Sequence, residues 1–394
     1  MNILACSLDY KPQIGGIAEY TYNLCKAFRD IGHNIIIVAP EIKGSTEFDQ
    51  EHSFLKTYRL TGDLTQVVVF SFKNILFKLP AFIKMLMEIR TNYRKIKKII
   101  DNEKIDKIIC FQWDFFGVIA YFLSKKHNIS YYVIFHGKGL NEKLSFPGIL
   151  QQIIVNKAHG IIANSQYTKN EIIKKLNNEN KIITAYCGVD SKIYYKKIVE
   201  KRLIAKYGIV DRKVLLSIGR FVERKGFDYA IRAFREYLNH RPDFNVVYLI
   251  VGSGHDEVRL KKIVTELNLT ENVKFLGEIT DEEEKNNLYN VADIFILPCR
   301  ELPGGDFEGF GIVYLEANCC EKPVIAGNSG GVPSAVQDGF NGLLVNPEDI
   351  RDIASKIELL FNDPDYARQL GQNGRIRAET EFSWLSVAKR INLN

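Results

Sequence analysis

Long apolar runs are missing from this sequence: stretches such as Tyr131 to Phe135 and Val214 to Ile218 fall far short of the ~20 residues that cross a bilayer. A membrane-spanning helix is therefore not expected. The chain also lacks a basic, apolar and small-residue leader at Met1, so the expectation is a cytosolic protein. Its seven cysteines are scattered without a C-x-x-C pair, which argues against a zinc site and for reduced structural thiols. The adjacent Cys319 and Cys320 read as small buried helix residues rather than a redox pair. No low-complexity tract is present, and 46% hydrophobic with 25% charged residues describes a globular protein. Asp363-Pro364-Asp365 has the spacing of a D-x-D metal site without its partners; Pro after Asp marks a helix start, and no metal is expected.

What is present divides in two. At 394 residues the chain is too long for one ordinary core. Residues 1–200 hold 28 Lys and Arg against 18 Asp and Glu, while 201–394 hold 25 against 29. The first half can meet an anionic surface or acceptor. Short Ile- and Val-rich runs alternate with amphipathic stretches, as parallel strands covered by helices on both faces require. Strands are expected over 2–7, 33–39, 107–111, 131–135 and 160–163, and again over 214–218, 245–251, 273–276, 294–298 and 324–326. A lysine-rich linker over 189–213 separates the sets. The expectation is two Rossmann-like, doubly wound parallel-sheet domains, 1–195 and 196–378, facing across a cleft. Ligands of such sheets bind in the loops after strands.

Five such loops carry candidate chemistry. In Glu308-Gly309-Phe310-Gly311-Ile312-Val313-Tyr314-Leu315-Glu316, the glycines open the backbone at a helix start, where the amides of Phe310, Gly311 and Ile312 can meet a diphosphate. Glu316, one turn into the helix, suits a ribose diol, and Glu308 suits sugar hydroxyls. Taken singly, Glu308 is equally a helix cap and Glu316 a solvated residue. In Gly219-Arg220-Phe221-Val222-Glu223-Arg224-Lys225-Gly226, Arg220 and Lys225 can neutralise a diphosphate, unless the loop is simply solvated. Gly15 and Gly16 either approach a phosphate or acceptor or merely permit helix entry. His136, ending a strand before Gly137, either bonds a sugar or is structural. Gly252 and Gly254 after a strand suggest a nucleotide-facing loop, but Glu257 stands where a dinucleotide fingerprint needs glycine. Thr280-Asp281-Glu282-Glu283 reads as a capping box.

Together with Cys187-Gly188-Val189-Asp190, Phe275-Leu276-Gly277 and Gly330-Gly331, these segments, in this order over residues 15 to 346, resemble glycosyltransferase family 4, the large retaining family with the GT-B fold. The resemblance implies a transferase that moves a sugar from a nucleotide diphosphate donor, without cofactor, metal or nucleic acid, to a glycan or lipid-linked acceptor. It implies Arg220 and Lys225 on the diphosphate, Glu308 on the sugar, Glu316 on ribose and Gly277 beside the base. His136 and the Gly16 loop would reach the donor from the first domain, and a last helix over 379–394 would cross back to it. The long loop over 300–307 resembles mannosyltransferases that use GDP-mannose, with UDP-sugar transfer, sugar-nucleotide 2-epimerisation or simple binding as alternatives. Tyr186-Cys187 departs from the usual Pro-Asn of the family. Gln112, Trp113, Asp114 and Phe115 are expected on the acceptor side, with aromatic packing as an equal reading of Trp113 and Phe115. The segment 73–98, with Lys73, Lys78, Lys84, Arg90, Arg94, Lys95, Lys97 and Lys98 against Glu88 alone, is a candidate contact for an anionic membrane, which would make the protein peripheral on the inner face.

Overall fold

The computed structural model describes every residue except 63–74, 138–145, 177–180, 392 and 394, and the side chains of 75–86 and 146–147 are also outside the description. Two compact units result, Met1–Cys187 with Trp384–Asn394, and Gly188–Ser383.

In the first unit the strands are β1 (Asn2–Cys6), β2 (Asn34–Pro40), β3 (Lys56–Leu60), β4 (Lys107–Cys110), β5 (Ser130–Phe135), β6 (Gly160–Ala163) and β7 (Ile182–Thr184). The intervening helices are α1 (Gly16–Asp30), α2 (Ser45–Glu51), α3 (Ile75–Glu103), α4 (Phe115–His127), α5 (Phe146–Lys157) and α6 (Gln166–Leu176). The sheet is parallel in the order β3-β2-β1-β4-β5-β6-β7, so the winding reverses between β1 and β4. Its interior strands are buried nearly throughout, because helices cover both faces: Ile35 to Ala39 and Tyr131 to Phe135 are at most 4% exposed.

The second unit runs α7 (Lys201–Tyr207), β8 (Lys213–Ile218), α8 (Phe227–His240), β9 (Val246–Val251), α9 (Glu257–Glu266), β10 (Val273–Phe275), α10 (Glu282–Val291), β11 (Ile294–Leu297), α11 (Ile312–Cys319), β12 (Val324–Gly327), α12 (Val332–Ala335), β13 (Leu343–Val345), α13 (Ile350–Asn362) and α14 (Pro364–Thr380). Its parallel sheet, β10-β9-β8-β11-β12-β13, reverses between β8 and β11. The last helix, α15 (Trp384–Arg390), belongs to the first unit, where Trp384 sets its ring edge-on to Tyr20 at 5.5 Å and the Tyr132 hydroxyl donates to the Leu393 carbonyl.

Several details differ from the expectations. The unit boundaries fall at 187/188 and 383/384 rather than 195/196 and 378/379, because the Val189 N–H donates to Phe382 O and the Lys197 N–H to Asn290 Oδ1, holding that segment in the second unit. The expected linker contains α7. Strands β3, β7 and β13 escaped the pattern: each is an edge strand of only three to five residues, paired on one side. The cap of α10 is Asp281, whose carboxylate accepts from the Glu284 N–H at 2.7 Å, rather than Thr280. Asp363 does start α14, accepting from Tyr366 N–H. All seven cysteines are buried, and none is in a disulfide. Among the described residues no helix is long and apolar enough to cross a membrane, and no group of three or more His, Cys, Asp or Glu could hold a metal ion.

Candidate active site

The winding reversal of the second sheet leaves a crevice-forming pair of loops, one after β8 and one after β11. The loop after β8 is laced to its neighbour after β9. Gly219 N–H donates to Val251 O, Phe221 N–H to Ser253 O, and Gly252 N–H to Gly277 O at 2.8 Å. A Cβ on Gly252 would overlap the Gly219 carbonyl, so only glycine allows this approach. Gly252 and Gly277 thus come together, with the Gly252 amide already used. The chain then makes a 3-10 turn, Glu223–Lys225, which turns Arg224 and Lys225 inward to 7% and 8% exposure. Arg220, at the mouth of the loop, is exposed.

Glu308 meets them from the loop after β11. Its Oε2 lies 2.6 Å from Lys225 Nζ and 2.7 Å from Arg224 Nη1. Arg224 Nε also approaches Asp306 Oδ1 at 3.4 Å. Burial alone would push the Glu308 carboxyl up, but Lys225 and Arg224 outweigh it and hold the group down, to about 2. The carboxylate is ionised at neutral pH. Its backbone is fixed as well, since Gly331 N–H donates to Glu308 O at 2.8 Å.

Beyond Glu308 the chain enters α11 through Gly311, whose φ of 93° is left-handed backbone. A Cβ there would run into the Tyr314 ring, which is held by its hydroxyl donating to Leu297 O at 2.7 Å. Phe310 is buried with its ring edge-on to Phe382, while Ile312 is half-buried at the first turn. Glu316 accepts from the buried Tyr289 hydroxyl at 2.6 Å. Burial first, then the Glu316 charge, push that hydroxyl well up, so Tyr289 stays a donor.

The remaining candidates belong to the first unit. Gly15 precedes α1 and Gly16 opens it, with open space where a side chain would stand. His136 follows β5, its ring edge-on to Tyr20 at 4.8 Å. Burial pushes the imidazole down to about 4, against a hydrogen bond to the Phe111 backbone, and its buried Nε2 has no hydrogen-bond partner. A neutral imidazole results. At this sheet's own reversal, between β1 and β4, Gln112 accepts from Leu8 N–H and donates to Asp9 Oδ2 at 2.9 Å, and Asp114 caps α4.

Two family profiles match the chain in tandem: Glycosyltransferase Family 4 over residues 14–192 and Glycosyl transferases group 1 over 199–377. The GDP-mannose-dependent alpha-(1-6)-phosphatidylinositol monomannoside mannosyltransferase of Mycolicibacterium smegmatis is 30% identical over 403 residues, spanning 99% of this chain and 97% of its own. This chain is a family 4 glycosyltransferase. Solved structures agree on the fold. A glycosyltransferase from Rickettsia africae superposes with a TM-score of 0.78 at 21% identity over 99% of this chain and 96% of its own. The Anabaena protein HepE, solved with UDP, gives 0.77 at 20% identity, over 99% and 98%. The family 4 chain therefore has the GT-B fold.

In this glycosyltransferase Lys225 and Glu308, each a candidate by its loop position, lie side by side, and Arg224, which was not a candidate, joins them. The only available signal was the Glu-Arg-Lys run itself; which of three neighbouring cations turns inward depends on the 3-10 turn. Arg300 and Asp228, whose guanidinium and carboxylate meet at 2.8 Å, were also missed as partners, being 72 residues apart.

Proposed function

We propose that this glycosyltransferase moves a hexose, mannose in preference, from a nucleotide diphosphate sugar to a glycan or lipid-linked acceptor, with GDP-mannose as donor and with retention of anomeric configuration. The observation that carries the donor reading is the convergence of Lys225 and Arg224 on Glu308 at the winding reversal of the second sheet. A donor diphosphate brought to that loop would meet Lys225 and the exposed Arg220, and the start of α11 at Phe310, Gly311 and Ile312 adds amide donors. Glu308, ionised and anchored by two cations, would accept from sugar hydroxyls, and Glu316 from ribose. The name of the mycolicibacterial relative supports mannose and guanine.

In this reading the bond from the anomeric carbon to the diphosphate oxygen breaks on the face where the acceptor oxygen bonds. The departing diphosphate takes the acceptor's proton, and Arg220 and Lys225 stabilise its growing charge. Neutral His136, its one N–H committed to the Phe111 backbone, offers Nε2 as an acceptor to a hydroxyl, and the Gly15-Gly16 loop leaves open space for backbone contact. The positive groups do the work a cation does in other transferases, so turnover should need no added metal. Residues 73–98 are proposed to seat the enzyme on an anionic inner membrane face; Lys73 lies outside the described residues.

A melting-temperature panel of GDP-, UDP-, ADP- and dTDP-sugars tests the donor: GDP-mannose should stabilise selectively. Proton NMR of the first-formed product in EDTA tests the chemistry. A linkage opposite in configuration to the donor's anomeric bond, or activity abolished by EDTA and restored by magnesium or manganese, would overturn it.

A further inference from the structure

A second charged cluster lies behind the Lys225–Arg224–Glu308 triad and touches none of its carboxylate oxygens. Arg300 follows β11 and is only 4% exposed. Its guanidinium is bidentate on Asp228, with Nη1 at 2.8 Å from Oδ1 and Nη2 at 3.1 Å from Oδ2. Nη2 also reaches Glu223 at 3.3 Å, and the guanidinium lies over the Tyr229 ring at 4.8 Å. Asp228 stands in the first turn of α8, directly after the loop that presents Arg224 and Lys225. Arg300 closes the circle with its backbone, whose N–H donates to Arg224 O at 2.8 Å.

One residue of the β11 loop thus grips the β8 loop on both sides of Lys225, at the Arg224 carbonyl and at Asp228. Both contacts act on the segment whose cations meet Glu308. A buried arginine with a planar bidentate partner has one low-energy orientation, which a lysine ammonium cannot reproduce. Mere stability is a weak reason for such a pair, because burying two charges in water-poor surroundings costs about as much as their attraction returns. We propose that Arg300 is a positioning residue for the transfer reaction: through Asp228 and the Arg224 carbonyl it sets Arg224 and Lys225 against Glu308. This rests on the reading that the β8 and β11 loops hold the donor.

The test compares Arg300→Lys, Asp228→Asn and Arg259→Ala with the unchanged enzyme, by steady-state nucleotide release, thermal melting and the arginine Nε–Hε NMR spectrum. Arg259 is the control, because it is a half-exposed second partner of Asp228, at 3.1 Å, with no contact to the Arg224 carbonyl. Arg300→Lys and Asp228→Asn should each lower kcat about tenfold to a hundredfold with a smaller change in donor KM, as misplacement of a catalytic group does. Melting should remain cooperative, and the Arg224 Nε–Hε signal should move. Arg259→Ala should keep kcat within about twofold, the ordinary size of a surface ion-pair effect. Wild-type kcat in both Arg300→Lys and Asp228→Asn, a loss that follows the unfolded fraction, an equal loss in Arg259→Ala, or an unmoved Arg224 signal would overturn the proposal. Asp228→Asn, nearly isosteric, carries the test alone if Arg300→Lys does not fold. Should the unchanged enzyme release nucleotide from no sugar nucleotide, the donor reading falls, and the Arg224 signal still decides whether Arg300 sets that side chain.

Discussion

Lys225 Nζ and Glu308 Oε2 lie 2.6 Å apart although their loops leave different strands of the sheet, and Arg224 shares the same carboxylate oxygen. Removing the negative charge leaves the buried Lys225 without its carboxylate and Arg224 with only the more distant Asp306. Glu308→Gln should therefore cost on the order of 3 kcal/mol of stability at neutral pH. The Glu308 carboxyl sits at about 2 in the fold against an ordinary 4.5. A lowered carboxylate contributes stability that is complete above its unfolded value and is lost as pH falls towards the folded one. The gap between wild type and Glu308→Gln, measured by urea unfolding, should accordingly be full at pH 6 and clearly smaller at pH 3. Equal gaps at both would show that the ion triad is not what the substitution removes.

His136 should be neutral throughout the working range. Burial lowers its imidazole from 6.5 to about 4, so the folded state binds this proton less readily than the unfolded chain. The stability it contributes is present above 6.5 and declines as pH falls from there through about 4. Two-dimensional NMR of the imidazole should give a midpoint near 4, and a midpoint near 6.5 would refute the buried, neutral assignment.

Gly311→Ala should be costly for two separable reasons. Its φ of 93° strains any residue with a Cβ, and that Cβ would strike the Tyr314 ring. Gly304, at φ 95° but with open space around it, carries the strain alone. A cost of about 1–3 kcal/mol is expected for strain in either variant, with a further loss for the clash only in Gly311→Ala. Matched melting curves check the difference, and equal losses would remove the steric part.

The described part of α3 is an ordinary amphipathic helix with a basic outer face. Asn92, Ile96, Ile99 and Ile100 are buried, while Met87, Arg90, Arg94, Lys95 and Lys98 are exposed. On anionic vesicles each basic residue near the surface should contribute about 1 kcal/mol at low salt. The Arg90→Glu, Arg94→Glu double variant should sediment less with such vesicles than wild type. Equal wild-type sedimentation with neutral and anionic vesicles would count against membrane seating.

The alternation of apolar runs and amphipathic stretches was enough to read two doubly wound sheets, because interior parallel strands are buried on both faces and must be apolar at nearly every position. Glu308, Lys225 and the Gly311 turn were legible for a related reason: chemistry collects in loops after strands, and those loops can be counted along the chain. The sequence left three of the four edges blank. Strands such as Lys56–Leu60 are partnered on one side and need no unbroken apolar run, so their pairing with β2 emerges only from assembly of the sheet.

Orientation within a loop was likewise decided by tertiary structure. Arg220, Arg224 and Lys225 are equivalent as charges on a page, and only the 3-10 turn exposes the first and buries the other two against a carboxylate more than eighty residues away in sequence. The pairing of Arg300 with Asp228 has the same character. A local pattern determines which segments become strands and helices, since backbone hydrogen bonding and burial repeat with a short period. Which charged side chain finds which partner depends on distances that exist only once the loops of β8 and β11 stand side by side.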